Sequence, residues 1–137
     1  GFKVSYDGNS FKAEQIYQHA GGAGMANHHG GVVRVGEYVY GSNGNQLSCI
    51  HLATGKVMWN ERSAGKGAIV VVDTKIILRA ESGPVALVEL NPKAYRQISK
   101  FDQPDRTRAR AWSHPVVSDG ILYLKDQQTL FAYDLRK

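Results

Sequence analysis

Internal repetition constrains this chain more than any other feature. Three segments align. They are "GVVRVGEYVYGSNGNQLSCIHLATGKVMWNE" from Gly31, "IVVVDTKIILRAESGPVALVELNPKAYRQISKF" from Ile69 and "PVVSDGILYLKDQQTLFAYDLRK" from Pro115. Val35, Asp73 and Asp119 align as the turn between the first two strands of each unit, at intervals of 38 and 46 residues. Leu52, Leu90 and Leu135 align as the end of the third strand, at intervals of 38 and 45. Two independent markers thus keep the same periods to within one residue.

Each unit reads as strands, because short Val/Ile/Tyr-rich runs are separated by turn residues. Strand A is "VVRV", "IVVV" or "PVVS"; strand B is "YVYG", "IILRA" or "ILYLK". Strand C is "LSCIHL", "VALVEL" or "LFAYDL", and strand D is "VMWNE" or "YRQISKF". In "LATGKVMWNE" a helix is excluded. Thr54-Gly55 breaks any 3.6-residue pattern, and Gly55 supplies the positive φ of a tight C–D turn. The opening "FKVSYDGNSFKAEQIY" reads as a C–D hairpin of a preceding unit.

Four-stranded antiparallel units of about 40–45 residues are the mark of a β-propeller, whose blades bury their faces only by stacking around an axis. The expected fold class is therefore all-β, a partial propeller of about three four-stranded antiparallel blades. We expect one domain over 1–137: a hairpin at 1–17, blades at 31–63 and 68–101, and a blade lacking its outer strand at 114–137. Propellers close with about 4–8 blades. The chain is thus expected to be a fragment holding the C-terminal blades of a longer ring, with Lys137 near its end. Its expected partners are the missing blades of its own propeller or another chain.

Composition fits this reading. Glycine is frequent at 15 of 137 residues, proline is rare at 4, and Cys49 alone excludes an internal disulfide or a multi-cysteine metal site. No apolar run reaches membrane-span length. The net charge of +5 is uneven, with three arginines in "DRTRAR" at 105–110. No nucleic-acid motif accompanies them and no aromatic residues alternate with them, so a solvated loop is expected and nucleic acid is not.

"HLATGKVMW" resembles the repeat of the pyrroloquinoline-quinone (PQQ) propeller family, roughly Ala-x-Asp-x-x-Thr-Gly-Lys-x-x-Trp. Thr54, Gly55, Lys56 and Trp59 match, and His51 stands where the family commonly has Asp. "ELNPKAY" and "YDLRK" are degenerate copies. The resemblance covers roughly residues 11–137. It implies that Trp59 packs between neighbouring blades. It also implies a bacterial setting, periplasmic or secreted in the full-length protein. The family includes quinoprotein dehydrogenases that oxidise alcohols or sugars with PQQ and calcium. It also includes cofactor-free propellers, among them the lipoprotein of the outer-membrane β-barrel assembly machinery. "NHHGGVV" and "RAWSHPVVSDGILYLKDQ" look most like cofactor-free or uncharacterised members. The resemblance therefore implies a non-catalytic binding or scaffold module without cofactor. The alternative is a fragment of a PQQ-dependent alcohol or sugar dehydrogenase.

Fold does not assign function, so a site must come from residues. The D–A loops, residues 18–30, 60–68 and 102–114, reach the channel rim on the face where the B–C turns also open. Aligning the units makes His28, Lys66 and Trp112 equivalent. Asn27, His28, His29, Lys66, Arg110, Trp112 and His114 are then expected to converge at one channel mouth, as contacts for a protein or small-molecule ligand. The histidines could hold Zn²⁺, cap loop backbone, or meet an anionic or carbohydrate ligand. Adjacent strand residues point to opposite faces, which weighs against His28 and His29 as joint ligands, and no metal site is expected. Trp112 could stack on a flat ligand or pack before strand A. Asp102, Asp105 and Asp126 are candidate calcium ligands or base by residue type alone. No G-x-S-x-G, P-loop or H-E-x-x-H template is present, and "GGAG" at 21–24 reads as a loop.

Overall fold

The computed structural model describes residues 1–20, 24–28 and 30–136. The start of the glycine-rich loop, His29 and Lys137 lie outside these residues. Among the described residues there are thirteen strands and no helix. They are β1 (Phe2–Tyr6), β2 (Phe11–Gln15), β3 (Val32–Val35), β4 (Tyr38–Asn43), β5 (Gln46–His51), β6 (Val57–Arg62), β7 (Gly67–Val72), β8 (Lys75–Ala80), β9 (Pro84–Glu89), β10 (Gln97–Asp102), β11 (Val116–Ser118), β12 (Ile121–Asp126) and β13 (Thr129–Asp134).

The strands form four antiparallel meanders. β1–β2 is a hairpin, β3–β4–β5–β6 and β7–β8–β9–β10 are four-stranded sheets, and β11–β12–β13 is three-stranded. This is the partial propeller of about three blades that the repeats require. Neighbouring strands pair because connections of two to seven residues leave no other partner within reach.

The register corrects one element of the alignment. Val35 pairs with Tyr38, Val72 with Lys75 and Ser118 with Ile121. The first turn residue is therefore Gly36, Asp73 or Asp119, and Val35 ends its strand. All three turn residues have left-handed backbone, with φ of 57°, 50° and 50°. Gly and Asp tolerate that conformation, whereas a β-branched Val does not. Leu52, Leu90 and Leu135 do share one role. Each donates its N–H to a carbonyl of the A–B turn, on Glu37, Thr74 and Gly120 respectively.

Two cores lie between sheets. Tyr40, Leu47, Cys49 and Trp59 meet Ile69, Ile76, Leu78, Ala86 and Val88 between the two four-stranded sheets. Ile77 and Val85 meet Leu122 and Leu124 between the second of these and the three-stranded sheet. Strand β8 serves both, because alternate side chains project to opposite faces. Each fully buried aliphatic or aromatic side chain contributes roughly 1.5–3 kcal/mol. Burial also pushes the Cys49 thiol up to about 11, which leaves it an inert packing group.

Trp59 joins the two sheets of the first core. Its indole lies 6.0 Å from the Tyr40 ring and 5.5 Å from Tyr95. Its Nε1–H donates to the Asn91 carbonyl at 2.8 Å. At the neighbouring turn the His51 imidazole hydrogen-bonds the Thr54 hydroxyl through Nδ1 at 3.0 Å. His51 thereby ties the Thr-Gly turn to the end of β5.

The β1–β2 hairpin is the least covered element. Phe2, Val4, Tyr6 and Phe11 share one face by register and are 60–76% exposed. A cavity of about 610 Å³ separates the hairpin from the first four-stranded sheet, lined by Phe2, Tyr17, Met25, Val32 and Ile50 among others.

Candidate functional site

The loop face is assembled by residues at the ends of the B strands. Asn43 ends β4; its side chain donates to the Gly24 carbonyl at 2.9 Å and accepts from the Ala26 N–H at 3.3 Å. Asp126 ends β12 in the equivalent place. It is 1% exposed and accepts from both the N–H and the hydroxyl of Thr107. Each residue clamps the D–A loop that leads into its own sheet. Asp126 is thus occupied as a loop clamp, while Asp102 and Asp105 are exposed.

In the second four-stranded sheet the corresponding residue is Ala80, and the next residue, Glu81, takes over. Its backbone N–H donates to the Lys66 carbonyl at 2.8 Å, and its carbonyl accepts from the Ala111 N–H at 2.9 Å. Its carboxylate pairs with the Lys66 ammonium at 3.2 Å and with Arg110 at 3.8 Å. It also accepts from the Trp112 indole N–H at 3.1 Å. Lys66 Nζ in turn lies 3.1 Å from His28 Nδ1. One turn residue therefore gathers side chains from three D–A loops.

Of the expected site residues, the structure brings His28, Lys66, Arg110 and Trp112 together around Glu81. Asn27 is exposed beside His28. His114 is reached from Gly31, where an added Cβ would lie 3.3 Å from its ring. His29 lies outside the described residues. The register shift at the A–B turn also moves the loop equivalences by one, so Lys66 corresponds to position 29 rather than to His28. Trp112 is 62% exposed. It stands at a cleft of about 230 Å³ with Arg110, Lys125 and Gln127. Among the described residues no group of three or more His, Cys, Asp or Glu could hold a metal ion.

The repeat alignment does not single out Glu81, because it lies on a B–C turn and not on a D–A loop. A signal was present. The B–C turns of the other units are Gly44-Asn45 and Gln127-Gln128, so Glu81 is the acidic residue of the set.

Burial opposes ionisation of Glu81. The hydrogen bonds from Lys66 and Trp112, and the charges of Lys66 and Arg110, outweigh it and hold its pKa below the ordinary glutamate value of 4.5. A carboxylate favoured by folding stabilises the fold fully above the ordinary value, and that contribution is lost as pH falls through the lower folded value. Glu81→Gln is therefore expected to lower the melting midpoint at pH 7 by about 2–8 °C, the shift made by about 1 kcal/mol in a domain of this size. The gap between parent and variant should close on acidification below the glutamate range. A gap that stays constant from pH 7 to pH 3 would show that the ion pairs do not hold the loops.

No family model matches the chain, and no curated protein does. Solved structures do match. One is a europium-containing methanol dehydrogenase, with a TM-score of 0.66 and 14% identity over 88% of this chain and 25% of that one. Another is BamB from Moraxella catarrhalis, with a TM-score of 0.55 and 19% identity over 74% of this chain and 30% of that one. The chain thus spans less than a third of either protein. No helix among the described residues is long and apolar enough to cross a membrane. The fold, with its stacked four-stranded meanders, is that of a partial β-propeller.

Proposed function

We propose that the chain belongs to a non-catalytic propeller that binds a partner or a small ligand on its loop face. The observation that carries this is the Glu81 network. Glu81 gathers Lys66, Arg110 and the Trp112 indole N–H, and Trp112 lines a cleft beside Arg110 and Lys125. Such a surface suits contact with a planar or anionic group. The likeness to BamB supports the same reading at the level of fold. The exposed apolar face of β1–β2 and the cavity behind it would be covered by further blades of the ring or by another chain. A periplasmic or secreted setting in a bacterium goes with this reading.

The second reading is a dehydrogenase fragment. The Thr54-Gly55-Lys56-x-x-Trp59 repeat and the exposed Trp112 ring favour it. The residues present do not fit its cofactor set. Asp126 and Glu81 are committed to loop contacts, and no metal-holding cluster forms among the described residues. PQQ is therefore not expected to be a ligand of these blades, and no step through it is derived.

A titration of the chain with PQQ in moderate salt, with and without calcium, tests this. Lys66, Arg108 and Arg110 attract carboxylates, but exposed charges are screened beyond about 8 Å at physiological ionic strength. Weak binding at most is expected. Saturable, calcium-dependent, submicromolar binding that vanishes in Trp112→Ala would move the protein to the dehydrogenase class.

A further inference from the structure

Arg110, Trp112 and Ser113 of the β10–β11 connection, Lys125 near the end of β12 and Gln127 of the β12–β13 turn line one cleft of about 230 Å³. The Trp112 indole N–H is held by Glu81 Oε2 at 3.1 Å, so a ligand does not have to order the ring. The Gln127 amide donates through Nε2 to the Arg110 carbonyl at 3.1 Å. That bond fixes the amide, and Oε1 is its acceptor end. The Ser113 hydroxyl can donate or accept.

The cleft carries excess positive charge. Arg110 and Lys125 line it, and among the described residues no acidic side chain does. Glu81 lies beside it, 3.8 Å from Arg110, but is also paired with Lys66 at 3.2 Å. Asp126 is buried, engaged by Thr107, and offsets the charge of the buried Arg79. Asp102 and Asp105 are matched in number by Arg106 and Arg108 in the same stretch of chain. What remains is Lys66, Arg110 and Lys125 against Glu81.

We propose that this cleft is a subsite for an acidic saccharide, a single sugar ring bearing a carboxylate. The inference rests on the reading of the loop face as a ligand-binding surface and names the ligand class. Three features select it together. The two lining cations call for an anion, and a guanidinium fork matches a carboxylate. The face of an indole is the negative part of its quadrupole and meets the weakly positive C–H face of a sugar ring. Gln127 Oε1 and the Ser113 hydroxyl call for hydroxyl donors, which an aromatic carboxylate lacks. Clefts for drug-sized ligands run about 300–1,000 Å³, so this one suits a single ring.

Isothermal titration of the chain with sodium D-glucuronate, at constant ionic strength and pH 7, tests the subsite. One saturable site in the millimolar range is expected. D-glucose keeps the ring and hydroxyls without the charge; benzoate keeps a carboxylate on a ring without the hydroxyls. Each should bind at least about tenfold more weakly. Lys125→Glu should weaken glucuronate binding roughly tenfold. Lys93→Glu, in the β9–β10 connection at the opposite end of its sheet, makes the same change in net charge and should leave binding unaltered. Trp112→Leu should weaken it about two- to tenfold. All three side chains are exposed, and circular dichroism checks that each variant is folded. No saturation by glucuronate would overturn the proposal, as would equal weakening by Lys93→Glu or equal binding of glucose or benzoate. An oligoglutamate peptide that binds more tightly than glucuronate, and is lost in Lys125→Glu, would overturn the saccharide class and leave the loop face a binding surface. Calcium-dependent, submicromolar PQQ binding would instead overturn the reading beneath it.

Discussion

Trp59→Ala is expected to lower the unfolding free energy by about 3–5 kcal/mol, the usual cost of truncating a large core aromatic. Three losses combine. The indole, 7% exposed, vacates the space between Tyr40 and Tyr95. The Asn91 carbonyl loses its donor. The two four-stranded sheets lose the side chain that bridges them, so the damage is not confined to one sheet. A loss of this size is much of a small domain's stability. Urea unfolding followed by far-UV circular dichroism measures it. If the variant unfolds like the parent and loses only ligand binding, Trp59 is a site residue and its packing role here is wrong.

Gly67→Ala is expected to cost about 3 kcal/mol, at the upper end for overpacking. Gly67 opens β7 opposite Ala80, and a Cβ there would overlap the Arg79 carbonyl oxygen on the adjacent strand. The obstacle is backbone and cannot swing aside. Its N–H is also bound to the Ser42 hydroxyl at 3.1 Å, which ties it to the first four-stranded sheet. Gly44→Ala is the control. Gly44 has a φ of 58° with nothing near its Cβ position, so only the left-handed backbone cost of roughly 1–2 kcal/mol applies. Matched urea midpoints for the two variants would remove the steric account.

The blades were legible because strand A, B and C runs are short, apolar and spaced by turn residues, and because two markers shared one period. The one-residue misplacement at Val35 came from reading a turn by alignment. Backbone φ decides it, and Gly36 shares that conformation with Asp73 and Asp119 although a glycine and an aspartate do not look alike. At the site, the D–A loops pointed to His28, Lys66, Arg110 and Trp112. Glu81 was hidden because a lone glutamate in "AESGP" looks like any solvated turn. Arg79 was hidden differently. "IILRA" reads as a strand with a tolerated charge, and only the packing of a second sheet against it makes that charge buried.

Strand β8 sends Ile76 and Leu78 to one core and Ile77 to the other. Inserting or deleting one residue there would exchange the two sets and drive the Arg79 guanidinium into the aliphatic core. Chain length is therefore frozen inside the sheets. It is free in the connections: β6 reaches β7 through residues 63–66, while β10 reaches β11 through residues 103–115. Most of the difference between the repeat periods is stored in that longer connection, which carries Gln103, Arg106, Thr107, Arg110 and Trp112. New chemistry can enter this architecture where the ruler is elastic, and the candidate site draws on that segment through Arg110 and Trp112.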